Sequence, residues 1–298
     1  MSMDIKIQIG NENEKALIKQ EMEFFVELIN KLEQSSKILQ IIIPENFSEK
    51  VNELENRSDF TGSHGITESA VVVLAKNIVA SNNRIIVLNP MLYFGEFDSM
   101  IRSFIIFHEV AHIINSDRFP TIATDSFFQS SYLGNLNFLF DEYFADRLAY
   151  KITDGIFKEP TECWKKFSNN SIKEYWALSS NGQYYQQIKT EIDNFRFHGD
   201  VELFMKLTHD SISVVTVATV HGFARYHHIE KSLQNFVIPS SHSLNDRTIK
   251  LMKYFKDKYE QSEIDLSDGV DIMCDYMRNF GIEFEDHPEG GYIYVLDI

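Results

Sequence analysis

The sequence predicts an α+β protein: a helix-rich core carrying a small sheet, followed by a mostly helical C-terminal half. Three observations predict it. Short β-branched runs end at prolines, ILQIIIP at Pro44 and RIIVLNP at Pro90. Longer segments repeat apolar residues at helical spacing, with charge between them. The chain ends in IEFEDHPEGGYIYVLDI, which reads as strand, turn at Pro288-Glu289-Gly290-Gly291, strand.

In chain order, NENEKALIKQEMEFFVELINKLEQSS at 11–36 reads as an amphipathic helix. ILQIII reads as a strand. GITESAVVVLAKNIVASNNRIIVLNP reads as two strands about a turn at Ser81-Asn82-Asn83, the second running from Arg84 to Leu88. A helix should begin at Asp98 or Ser99, either of which can cap it. Met100, Ile101, Phe104, Ile105, Val110, Ala111, Ile113 and Ile114 wrap most of its circumference, so it should be central and buried. NLNFLFDEYFADRLAYKI at 135–152 is a second, mostly apolar helix. From Pro160 to about residue 260 the chain reads as largely helical. The expected organisation is an N-terminal helix at 1–35, a core at 36–155 and a mostly helical region at 156–298 ending in a β-hairpin.

Composition excludes several classes. At 298 residues with 44% hydrophobic and 24% charged content, the chain matches a globular protein with a substantial core. A net charge of −16 argues against a nonspecific grip on nucleic acid or an anionic membrane. MSMDIKIQIGNENEK lacks a basic region followed by an apolar run, and no stretch reaches roughly 18 apolar residues. SISVVTVATVHGFA at 211–224 comes nearest and is too short. These features predict a cytoplasmic protein. Cys163 and Cys274 form no ligand pair by spacing and read as reduced core residues.

FHEVAHIIN at 107–115 carries the chemistry. Residues four apart on a helix face the same way, so His108 and His112 can present ring nitrogens to one ion. Glu109 lies about 100° round the helix, close enough to hold a water without ligating the ion. Zinc takes neutral imidazole and, with three protein ligands, keeps an open position. A carboxylate beside the bound water can take its proton and pass it to a leaving amine. The competing reading is two core histidines bonded to backbone. Burying two histidines and a glutamate in an apolar helix is costly without partners.

FDEYFADRLA supplies a third ligand in Glu142, with Asp146 one turn later on the same face. Acids in an apolar helix need a positive partner, and an ion is one. Asp146 could then accept from the free N–H of a ligating histidine. The alternative partner for these acids is Arg147, in an ordinary salt bridge.

HEVAH followed by EYFAD resembles the gluzincin metallopeptidases, with HExxH and then ExxA(D/N) on a second helix. The likeness is to ImmA/IrrE-like peptidases and to CaaX-type/HtpX endopeptidases, over roughly residues 70–155. It implies a zincin-like core holding one zinc ion per chain. It implies His108, His112 and Glu142 as ligands, Glu109 as general base and Asp146 behind them. Such enzymes place an edge strand above the active-site helix, and RIIVLNP stands at the right place in the chain; an ordinary core strand is the other reading, and the two can both hold. SSHSLNDRTIKLM is similar to a CaaX-type segment that supplies an oxyanion donor, implying His242 or Arg247. His242 is followed by Ser243 rather than the family's usual proline, and this chain has no membrane spans, unlike that family. A capped surface helix starting near Asn245 explains the same residues. Lit-type phage-exclusion proteases are similar in length and also carry HExxH.

In VHGFARYHHIEK, His221 and His228 fall two turns apart on one helical face, where they could line a cleft or donate a proton. The adjacent His227 and His228 read as a solvated or lightly buried polar patch. The expected function is a zinc-dependent endopeptidase acting on one or few protein or peptide substrates. An activating or inhibiting partner would act at the C-terminal half, in a setting of regulation or phage defence. The alternative is a zinc-bearing sensor or binding module without turnover.

Overall fold

The computed structural model describes residues 3–32, 37–61, 63–64, 71–81, 83–95, 97–116, 127–157, 183–229, 242–261, 264–287 and 290–296. The fold is α+β, as expected. The chain divides into two compact units, one of residues 1–117 with 148–160, the other of 118–147 with 161–298. Each has its own core.

The first unit is built on a four-stranded sheet. Its elements are β1 (Asp4–Ile7), α1 (Glu12–Ile29), β2 (Ile38–Ile43), α2 (Phe47–Glu55), the short pair β3 (Ser63–His64) and β4 (Val71–Val72), β5 (Ala75–Ala80), β6 (Asn83–Leu88), α3 (Met91–Phe94) and α4 (Ser99–Asn115). Strand order is β1-β2-β6-β5, with β1, β2 and β6 parallel and β5 antiparallel to β6. Alternation along the strands sorts side chains between two layers. Ile41, Ile43, Ile86 and Leu88 face α1 and α4, meeting Met22, Phe25, Ile106, Phe107 and Val110. Ile42, Ile85 and Val87 face the other way, onto Phe47 and Val51 of α2 and Phe60.

Two expectations change here. The N-terminal segment is more than a helix, because DIKI forms β1 and pairs in register with β2, Ile5 opposite Ile41. RIIVL is a central strand and not an edge, since β6 pairs with β2 on one side and β5 on the other. Its apolar residues run continuously because both faces are covered, which is the mark of an interior strand. The edge beyond it is β5, where Val79 is exposed.

Helix ends follow local chemistry. Asn11 Oδ1 accepts from the Glu14 N–H, and Glu14 Oε2 accepts from the Asn11 N–H, a reciprocal cap on α1. Asp98 Oδ1 accepts from the Ile101 N–H at 2.9 Å and starts α4 at the expected place. Arg102 of α4 donates from Nε and Nη2 to the two carboxylate oxygens of Glu21 on α1, at 2.9 and 2.8 Å. This fork sets the rotation of α4 on the layer beneath.

Helix α5 (Phe127–Ile156) is a single helix whose residues up to Arg147 belong to the second unit and whose last turns belong to the first. The second unit continues with α6 (Gln183–His198), α7 (Val201–Ile229), α8 (His242–Tyr259), α9 (Val270–Met277) and the hairpin of β7 (Ile282–His287) and β8 (Gly290–Val295). Its centre is aromatic. Phe140 and Tyr143 of α5 meet Phe255 of α8 at 5.5 and 5.8 Å between ring centroids. Tyr132 packs edge-on to Phe284 and its hydroxyl accepts from the Phe284 N–H, tying the hairpin to α5. A Cβ at Gly269 would stand 2.6 Å from the Tyr254 ring and 2.7 Å from Leu136, so this close approach needs glycine.

Within α7, Thr216 and Thr219 are buried and bond back to the Ile212 and Val215 carbonyls, so the apolar stretch carries satisfied polar groups. No helix among the described residues is long and apolar enough to cross a membrane. His227 corrects the expected polar patch: it is 3% exposed and shares a short hydrogen bond with the Tyr143 hydroxyl through Nδ1. Cys274 is half-buried with a free thiol; Cys163 lies outside the described residues.

Two outcomes follow from this packing. Phe107 is fully buried and meets Phe25 edge-on at 6.1 Å. Phe107→Ala should therefore cost about 3–5 kcal/mol in urea unfolding. Burial, with Arg147 and Lys256 nearby, lowers His227 from 6.5 to about 3. Between those values the unfolded chain binds the extra proton, so stability rises with pH and is lost on acidification. His227→Gln should flatten that part of the profile, measured by unfolding at a series of pH values; an unchanged slope would assign the loss to other groups.

Candidate metal centre

The site begins with the register between α4 and α5. Phe104 stacks on Tyr150 at 4.5 Å, and the Ser103 hydroxyl meets that of Thr153 at 3.4 Å. The helices therefore run antiparallel. One turn further along α4 stands His108, and one turn back along α5 stands Asp146. Another turn brings His112 and Glu142 level.

His108, His112 and Glu142 each offer a ligand atom, and these atoms all lie within 4.8 Å of one another. The two Nε2 atoms are 2.9 Å apart, with the rings at 88° to each other. Ligand nitrogens on one tetrahedral ion stand about 3.3 Å apart at ordinary bond lengths. The donor set, two imidazoles and a carboxylate, therefore fits a metal ion with little adjustment. All three residues are half-buried, as is Glu109, which follows His108 on α4.

Behind the ligands, Asp146 is 2% exposed, and its Oδ2 lies 2.8 Å from His221 Nδ1. His221 Nε2 stands 3.6 Å from Glu142 Oε2. A carboxylate on Nδ1 holds the proton there and turns the far nitrogen toward Glu142. Sequence reasoning gave His221 only a general place on a helix face. The signal was the buried acid itself, which needs a donor, but the sequence does not say which histidine of α7 supplies it.

The Arg147 guanidinium lies over the Tyr259 ring at 5.3 Å. Arg247 is held by Asp275, Nε to Oδ1 at 3.2 Å. His242 opens α8.

No protein-family model, no curated protein and no solved structure matches this chain.

Glu142→Ala should lower metal content after dialysis to well below one ion per chain, read by elemental analysis. His221→Phe should keep the ion but weaken it about 10- to 100-fold in a chelator competition, the usual cost of losing a group that orients a ligand. Unchanged metal content in Glu142→Ala would remove it from the ligand set.

Proposed function

We propose that this chain is a zinc-dependent endopeptidase. One observation carries the reading: two histidines one turn apart and a glutamate from a second helix converge within reach of one ion, with Glu109 beside them. A purely structural ion needs no such carboxylate.

Zinc held by His108, His112 and Glu142 would polarise the substrate carbonyl and acidify a water. Glu109 would accept a proton from that water as its oxygen adds to the carbonyl carbon, and would then deliver it to the amine as the peptide C–N bond breaks. Asp146 holds His221 by Nδ1. His221 in turn flanks Glu142 and is our candidate donor for a developing oxyanion. Arg247, occupied by Asp275, is the weaker candidate for that role.

The substrate is a polypeptide in extended form. Among the described residues β5 ends the sheet, and it packs against α4, so its outer backbone groups could pair with such a chain. This moves the role expected for RIIVLNP one strand outward. We infer selectivity for one or few proteins.

The test is a survey of new protein N-termini in a bacterial lysate, comparing wild type with Glu109→Gln. New termini from a few proteins, present with wild type only and reduced about 10²- to 10⁴-fold in the variant, are expected. Identical termini from both forms would reject catalysis by Glu109 and favour a metal-bearing binding module.

A further inference from the structure

The second unit contains a group of donors that the metal centre does not use. Arg147 of α5 is half-buried, and its Nε and Nη1 are sealed from solvent without a hydrogen-bond partner. Its guanidinium lies over the Tyr259 ring, 5.3 Å from the centroid. Tyr143, one turn before it, shares a hydrogen bond with His227 Nδ1, while His227 Nε2 is buried and unpartnered. The Tyr143 and Tyr259 rings are 6.2 Å apart, and those of Tyr143 and His227 5.7 Å. All four residues therefore surround one place in the aromatic core.

A count of protons defines what is missing. A tyrosine hydroxyl and a neutral imidazole carry two protons and share one hydrogen bond, so one proton lacks an acceptor in either tautomer. Burial keeps this imidazole neutral, so it carries a single ring proton. With the two Arg147 N–H groups, three donors are buried without an acceptor. Native interiors rarely leave such groups unmet, and a missing ion or ligand is one of the standard reasons when they do.

We propose that Arg147, Tyr143 and His227 form a binding site for a small carboxylate, separate from the metal centre. The charge fits a monoanion. Arg147 is the one cation within the group, and Lys256 nearby is offset by Asp257 and Glu260. A phosphate dianion would be under-neutralised there. The rings of Tyr143, Tyr259 and Phe255 give the rest of the ligand an aromatic or apolar wall.

The experiment uses the full chain, with benzoate as the probe and inorganic phosphate as the comparison. Benzoate should raise the thermal midpoint saturably. It should also move an arginine Nε–H resonance that is absent from Arg147→Lys. The midpoint shift should vanish in Arg147→Met and persist in Glu142→Ala, which separates this site from carboxylate capture by the metal and leaves the test valid if the peptidase reading fails. No saturable shift overturns the proposal, as does a shift lost in Glu142→Ala or larger with phosphate than with benzoate. If Arg147→Met does not fold, the resonance in wild type decides: movement with benzoate supports the site, and a static signal overturns it.

Discussion

The antiparallel register of α4 against α5 is the constraint on which the site depends. The Arg102–Glu21 fork and the apolar layer of α1 fix how α4 is rotated on the sheet. Phe104 against Tyr150 then fixes α5 along it. Because each turn advances both helices by the same rise, two contacts among ordinary core residues decide which side chains stand opposite the histidines.

Burial explains the surrounding polar groups. Asp146 lies deep in a helix whose neighbours are apolar, and it is tolerated because His221 meets it. His221 can do so because α7 brings a histidine out of an otherwise apolar segment. The same helix places His227 against Tyr143, two turns on, in surroundings that hold the ring neutral. One helix thus supplies two histidines with opposite tasks, and the difference is the presence or absence of a carboxylate.

Much of this was legible in the sequence, where periodicity was strong. Spacing placed α4 and the common face of His108 and His112, and residue type offered Asp98 or Ser99 as its cap, of which Asp98 takes the role. Spacing also placed Glu142 and Asp146 one turn apart, and the pattern gave the β5–β6 hairpin. What stayed hidden depends on non-local pairing. A four-residue strand such as DIKI gives no sign of which strand it will join, so β1 was missed. RIIVL was offered as an edge because its position in the chain suggested it, although four apolar residues in succession signal a strand covered on both faces. The partner of Asp146 lies 75 residues away and has no local signature.

An open strand edge has a cost in crowded solution. Any extended chain that can pair with β5 includes the β5 of another copy, so the same unpaired amides that would receive a substrate also invite self-association. The strand is only six residues long. Lys76 stands on it with its ammonium tied to Glu55, and Asn77 follows, so polar side chains break up the apolar row. At the opposite border of the sheet, Asp4 and Lys6 of β1 do the same with alternating charge. Among the described residues, both borders therefore carry polar side chains that discourage stacking of copies into larger sheets.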